Sequence, residues 1–134
     1  MADQKKKQPL FVKVDQLLPQ AEGFSITVKV VNSKVIVPRG RGDGNAPRQS
    51  RMAECLVGDE TGMIIFTARN DQVDLMKAGE TVILRNAKVD MFKSSMRLAV
   101  DRSGRVEATD AADFTVKEDS NLSLIEFERI DMML

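Results

Sequence analysis

Residues Phe24 to Val37, FSITVKVVNSKVIV, alternate β-branched and polar side chains, the pattern of a strand with one buried face. The alternation breaks in the middle. Phe24, Ile26, Val28 and Val30 share one parity, whereas Val35 and Val37 fall on the other. Side chains on a strand repeat every two residues, so the apolar face must change phase near Asn32 and Ser33. A bulge or sharp bend there lets one long strand serve two sheets, as small barrels require at their corners. TVILRNAKVDMF (81–92) repeats the device. Val82 and Leu84 differ in parity from Ala87, Val89 and Met91, so this strand changes face near Arg85 and Asn86.

The remaining elements fall between and after these two. MAECLVGDETGMIIFTAR (52–69) reads as a hairpin with its turn at Gly58 to Gly62. NDQVDLMKAGE (70–80) predicts a short helix of about two turns, with Asn70 as N-cap, Val73 and Met76 on one face and Gly79 as terminator. A second hairpin pairs 81–92 with MRLAVD (96–101) about Lys93-Ser94-Ser95, and Arg105 to Thr109 offers an extra strand. This periodicity fits either an SH3-like or an OB-fold barrel. The helix between the third and fourth strands favours the second, so the expectation is an all-β, five-stranded OB-fold barrel with one short helix.

At 134 residues the chain has the size of one domain, and 43% hydrophobic with 30% charged residues describes a globular protein. No apolar run approaches the ~20 residues of a membrane span, and MADQKKKQPL has no apolar signal core, so an intracellular protein, nuclear or cytoplasmic, is expected. There is no histidine, and the single Cys55 stands at an inward parity beside Ala53 and Val57, which suits packing. Zinc sites and Cys/His or Ser/His catalysis are therefore excluded, and no cofactor or metal is expected. GRGDG (40–44) lacks the lysine of a phosphate-binding P-loop. The pattern points to binding, not to an enzyme.

Zero net charge conceals a gradient. Met1 to Ala53 holds ten Lys/Arg against four Asp/Glu, Glu54 to Arg105 eight against eight, and Val106 to Leu134 two against eight. A basic first half suits a polyanion and an acidic end suits a protein partner or competition for the same basic surface. The expected organisation is a disordered basic tail over 1–9, an OB-fold domain over 10–113 and an acidic extension over 114–134 that packs on the barrel or docks a partner. Within the domain, PRGRGDGNAPRQSR (38–51) reads as a mobile loop whose four arginines suit phosphate contact. In the extension, Ser123 with Glu126 offers a capping box, with Leu124, Phe127, Ile130 and Leu134 on one helical face, while LSLIEFERI also alternates well enough to be a strand.

GDETGMIIFTARND (58–71) and KAGETVILRNAKVDMFKSSMRL (77–98) resemble the single-stranded-DNA-binding OB-fold proteins that include the DNA-binding component of the SOSS complex and the archaeal replication-protein-A-like proteins. Over residues 10 to 128 the chain is still more similar to a group of small plant OB-fold proteins, through FVKV, GDETG, TARNDQVDLM and FTVKED. The resemblance implies a non-enzymatic protein that binds single-stranded DNA or RNA, G-rich structures included, by stacking bases on aromatics of strands three to five. At those places this chain has Arg69, Lys88 and Ala99, and only Phe92 keeps a ring.

Parity defines the same surface independently. With Ile64, Phe66, Ala68, Val89, Met91, Leu98 and Val100 inward, Ile65, Thr67, Arg69, Lys88, Asp90, Phe92, Arg97 and Ala99 point outward. The candidate nucleic-acid site is therefore Thr67, Arg69, Lys88, Phe92, Lys93 and Arg97, with Arg39, Arg41, Arg48 and Arg51 tracking phosphates from the loop. A solvated face in which Arg69 and Lys88 pair with Asp71 and Asp90 is the competing reading. Phe11, Phe24, Phe66, Phe114 and Phe127 are expected in the core.

Overall fold

The computed structural model describes residues 10–36 and 51–126. Six strands occur among them: β1 (Glu22–Ile36), β2 (Met52–Asp59), β3 (Gly62–Arg69), β4 (Thr81–Phe92), β5 (Ser95–Ala99) and β6 (Arg105–Thr109). Hydrogen-bonded neighbours run β1-β2-β3-β5-β4-β6, and β1 also pairs with β4, so the first five strands form a circuit. This is the strand order of an OB fold. β6 joins β4 along Thr81 to Arg85, on the edge that β5 occupies along Lys88 to Phe92.

Both expected changes of face are bulges. β1 pairs Val30 with Val57 and then Asn32 with Leu56, leaving Val31 as the extra residue. Before it, Ile26, Val28 and Val30 are buried, each at 1% exposure or less. Beyond it, β1 pairs only with β2 among the described strands, and Val35 is 60% exposed instead of turning to the core. In β4 the register against β1 skips from Leu84 to Ala87, and Asn86 takes a left-handed φ of 55°. Asparagine tolerates this backbone better than most residues, because its short polar side chain bonds locally. Val82, Leu84, Ala87 and Val89 consequently all face inward.

The core is apolar and continuous, with Phe24, Phe66, Met76, Leu98 and Cys55 buried among the strand valines and isoleucines. Burial holds the Cys55 thiol above its usual pKa, although Ser33 lies 3.5 Å away and opposes the shift. Phe11 is a correction. It lies outside the circuit on a short parallel bridge to Ser25, 48% exposed, with the Arg85 guanidinium 5.9 Å from its ring. Phe114 is partly exposed, and Phe127 lies outside the described residues.

The helix between β3 and β4 is present as a 3-10 helix, Asn70–Leu75. Its length suits that form, since only Val73 and the following Met76, three residues apart, have core to cover. Asn70 does not cap it. The Asn70 backbone is left-handed (φ 54°), and its side-chain oxygen accepts from the Arg51 N–H. The hairpin turn after β4 is a tight two-residue one, Lys93-Ser94, with φ of 50° and 71°, the left-handed pair that matches strand twist.

Two buried polar residues fasten the segments outside the strands. The Asp59 side chain, fully buried, accepts from the Val14 N–H at 3.0 Å and from the Thr61 N–H and hydroxyl at 2.9 and 2.6 Å. Thr61 Oγ1 in turn accepts from the Asp15 N–H, and Lys117 N–H donates to the Asp59 carbonyl. Gly58 permits this junction, because a Cβ there would lie 2.6 Å from the Gly62 carbonyl oxygen and 2.8 Å from Val116. Ser123 performs the second fastening. Its hydroxyl accepts from Ile65 N–H at 2.9 Å and donates to the Met96 carbonyl at 2.7 Å, bridging β3 to β5, which share a single ladder pair, Phe66 with Leu98. The expected capping box at Ser123 is therefore absent: Asn121 caps the 3-10 turn Leu122–Leu124 through its side chain, and Leu124 is 78% exposed.

Asp59→Ala leaves buried donors without an acceptor and is expected to lower unfolding free energy by about 3 kcal/mol, read from denaturant midpoints at unchanged m-value. Ser123→Ala is expected to cost about 1–2 kcal/mol. Amide exchange at Ile65 should accelerate more than at Val57, and equal acceleration at both would show that Ser123 does not hold the β3–β5 seam.

Candidate nucleic-acid interface

The outward residues of β2, β3, β5 and β4 meet on one sheet surface, because β2–β3 and β4–β5 are in uninterrupted register and β3–β5 joins them. Phe92 and Lys93 mark one end of it. β3 and β5 run parallel, which places Arg69 at the opposite end. Thr67, Lys88 and Arg97 lie between, and Ala99 is a correction to the outward set: paired beside Lys88, its methyl group is too short to reach solvent, and it is 7% exposed.

Phe92 presents a half-exposed ring, 48% accessible, held by cations. Arg97 Cζ lies 4.4 Å and Lys93 Nζ 5.4 Å from the ring centroid. Arg97 is oriented in turn by Glu54, whose carboxylate accepts from Nη1 at 2.7 Å. Arg97 Nε is buried and has no hydrogen-bond partner among the described residues. Glu54, Arg97 and Phe92 thus form one contiguous unit, with the ring half exposed to a flat partner.

The other cations differ in how free they are. Lys88 Nζ stands 3.8 Å from Asp90 and 3.6 Å from Asp101, so its charge is shared with two carboxylates. Hydrogen bonds from the Ser103 hydroxyl and N–H hold the Asp101 carboxyl below its usual pKa, with Lys88 adding a smaller effect. Arg51 makes a two-pronged contact with Asp74, at 2.8 and 3.1 Å, and Asp71 is 3.6 Å from Arg51. That contact lowers the Asp74 pKa. The anticipated Arg69–Asp71 pair is accordingly replaced by Arg51–Asp71, whereas the Lys88–Asp90 pair is present. Among the described residues no acid lies within 4 Å of Arg69 or Lys93. Arg39, Arg41 and Arg48 lie outside the described residues.

Sequence reasoning missed three participants. Glu54 follows from the β2 alternation as an outward residue, but its partner on β5 could be found only from the β2-β3-β5 order. Arg102, in the turn between β5 and β6, and Arg105, the first residue of β6, line a groove with Arg69, and only the spacing of two arginines about Ser103-Gly104 hinted at them. No group of three or more Cys, Asp or Glu among the described residues is placed to hold a metal ion, and no described helix is long and apolar enough to cross a membrane.

Comparison with known proteins agrees with this architecture. The model of the family described as single-stranded DNA binding protein Ssb-like, OB fold, matches residues 17–108. The Arabidopsis thaliana protein At4g28440 is 59% identical over 133 residues, covering 95% of this chain and 87% of that protein. The solution structure of the hypothetical protein F20O9.120 from Arabidopsis thaliana superposes with a TM-score of 0.77 at 56% identity, over 99% of this chain and 96% of that one. The second OB-fold domain of replication protein A from Methanococcus maripaludis shares the fold, with a TM-score of 0.54 at 21% identity, over 77% of this chain and 98% of that one. Sequence, strand order and family model converge, and the chain belongs to the Ssb-like OB-fold family of single-stranded DNA binding proteins.

Proposed function

We propose that the chain is a non-enzymatic module that binds single-stranded nucleic acid across the β2-β3-β5-β4 surface. The observation that carries this reading is Phe92, an exposed ring backed by a guanidinium and flanked by an ammonium group. An apolar ring at a polar surface costs solvation unless something flat covers it, and every base has a π-face. Phe92 stacks one base, Lys93 and Arg69 contact phosphates at the two ends, and Thr67, Lys88 and Arg97 line the path between. Arg39, Arg41, Arg48 and Arg51 complete the phosphate track, Arg51 by exchanging Asp74 for a phosphate. With one ring, at roughly 1–3 kcal/mol per stacked base, affinity is modest and salt-sensitive.

A second reading draws on Leu124 and Ile125, 78% and 49% exposed, on a segment that Ser123 ties to the barrel. These apolar side chains beside acidic residues suit a protein partner docking through residues 114–134. In that reading the barrel is a scaffold and the sheet surface is a solvated face.

Fluorescence anisotropy with labelled oligo-dT, mixed-sequence, G-rich and RNA strands, at low and near-physiological salt, separates the two. Phe92→Ala is expected to weaken binding roughly tenfold, and joint replacement of Arg69, Lys88 and Phe92 by alanine to abolish it. Absence of binding to every strand at low salt would make the scaffold reading the better one. Glu54→Gln removes the carboxylate that neutralises Arg97 and is expected to tighten binding about threefold at low salt. Weaker binding in that variant would mean that Glu54 serves chiefly to aim Arg97.

A further inference from the structure

Past Arg69 the sheet surface opens into a groove between the 3-10 helix Asn70–Leu75 and the turn joining β5 to β6. It is open to solvent and holds about 520 Å³, with Leu75, Val100 and Val106 as apolar lining and Arg69, Arg102 and Arg105 as cations. Sites for small ligands span roughly 300–1,000 Å³ and combine such apolar walls with a few placed polar groups.

The walls are built, not incidental. Asn86, left-handed at the β4 bulge, donates from its side chain to the Ser103 carbonyl and hydroxyl, both at 3.1 Å. Gly104 then packs so closely on the bulge that a Cβ would collide with the Arg85 and Asn86 carbonyls. On the other wall the Gln72 side chain donates to the Val100 carbonyl at 2.8 Å. The β4 bulge thus seats the turn that carries Arg102 and leads into Arg105 of β6, and Gln72 fixes the turn's distance from the helix.

The charge balance favours an anion. Asp71 and Asp101 also line the groove, but Asp71 lies 3.6 Å from Arg51 and Asp101 lies 3.6 Å from Lys88, both cations outside it. Arg105 shares Glu107 with Arg85, at 2.9 Å from each. Among the described residues Arg69 and Arg102 have no acid within ion-pair distance. Guanidinium groups match phosphate through paired planar donors, and the apolar lining between them suits a base or the hydrophobic side of a sugar.

We propose that this groove is a second nucleotide subsite, receiving the phosphate and base of a strand that leaves the sheet surface past Arg69. The proposal rests on the nucleic-acid reading given above and lengthens the footprint in one direction, away from Phe92. OB folds cover roughly 4–16 nucleotides, and the sheet surface alone would stand near the short end of that range.

The test is length dependence. Binding of oligo-dT of about six and about fifteen nucleotides is compared between the native chain, Phe92→Ala, Arg102→Ala and the pair Arg102→Ala with Arg105→Ala, with thermal melting as a check on folding. The paired variant is expected to lose about tenfold for the longer strand and nothing for the shorter. Its salt slope for the longer strand should flatten by about 1.4, the value for two phosphate contacts on a single strand. Arg102→Ala, which breaks no described ion pair, should show half of that change if the double variant proves unstable. Equal loss at both lengths, or no loss at either, overturns the groove while a loss in Phe92→Ala keeps the sheet surface. Failure of the native chain to bind either strand overturns both.

Discussion

A sheet of so few strands can leave no long edge unpaired only if some strands turn corners, and here that demand falls on β1 and β4. β1 pairs with β2 and β4, and β4 with β1, β5 and β6, and each carries an irregularity in its register, Val31 in one and the stretch around Asn86 in the other. In β4 the apolar side chains on either side of the bulge thereby reach one core, whereas in β1 only those before Val31 do. The β4 bulge does more than bend the strand. Its left-handed Asn86 and the close approach of Gly104 fix the turn that presents Arg102 and Arg105 beside Arg69. One backbone irregularity thus serves both closure and surface shape.

The segments outside the strands depend on a different requirement, the satisfaction of buried polar groups. Asp59 gathers donors from the β2–β3 turn and from the N-terminal segment, while its own carbonyl takes Lys117 of the C-terminal segment. With no counter-cation within ion-pair distance among the described residues, a buried acid is tolerable only when such donors surround it. The turn from Asp59 to Gly62 is for that reason a structural knot tying three parts of the chain. Ser123 does the same at the weak seam between β3 and β5, so the C-terminal segment is part of the sheet's hydrogen bonding.

On the outer surface, electrostatics decides which cations a polyanion could use. Arg97 is held by Glu54 and lies over Phe92, Arg51 is held by Asp74, and Lys88 is divided between two acids. Arg69 and Lys93, at the two ends, have no such described partner. Exposed ion pairs contribute at most about 1 kcal/mol and exchange readily, so a phosphate could displace Asp74 from Arg51 at small cost. The Arg97–Glu54 pair is more enclosed, and there the acid and the ring together set the guanidinium's position.

Much of the fold was legible because β-alternation is local: the breaks in parity at Asn32 and Asn86 are visible in the string, and inward Ile64, Phe66 and Ala68 follow from spacing two. The outward set Thr67, Arg69, Lys88, Phe92 and Arg97 follows from the same rule. What spacing could not supply is which outward side chains touch. Arg97 finds Glu54, forty-three positions away in the chain, only because β3 lies between β2 and β5. Asp71 pairs with Arg51 instead of Arg69 because the 3-10 helix turns it toward the start of β2. Phe11 looked like core from its apolar neighbours, yet it stands outside the circuit on a bridge to Ser25. The sequence by itself determined the strands, their bends and the inward and outward alternation of β3 and β4, since those depend on backbone periodicity. Tertiary structure alone decided the ion pairs, the burial of Asp59 and the groove beside Arg69, because each depends on strands and turns distant in sequence being brought side by side.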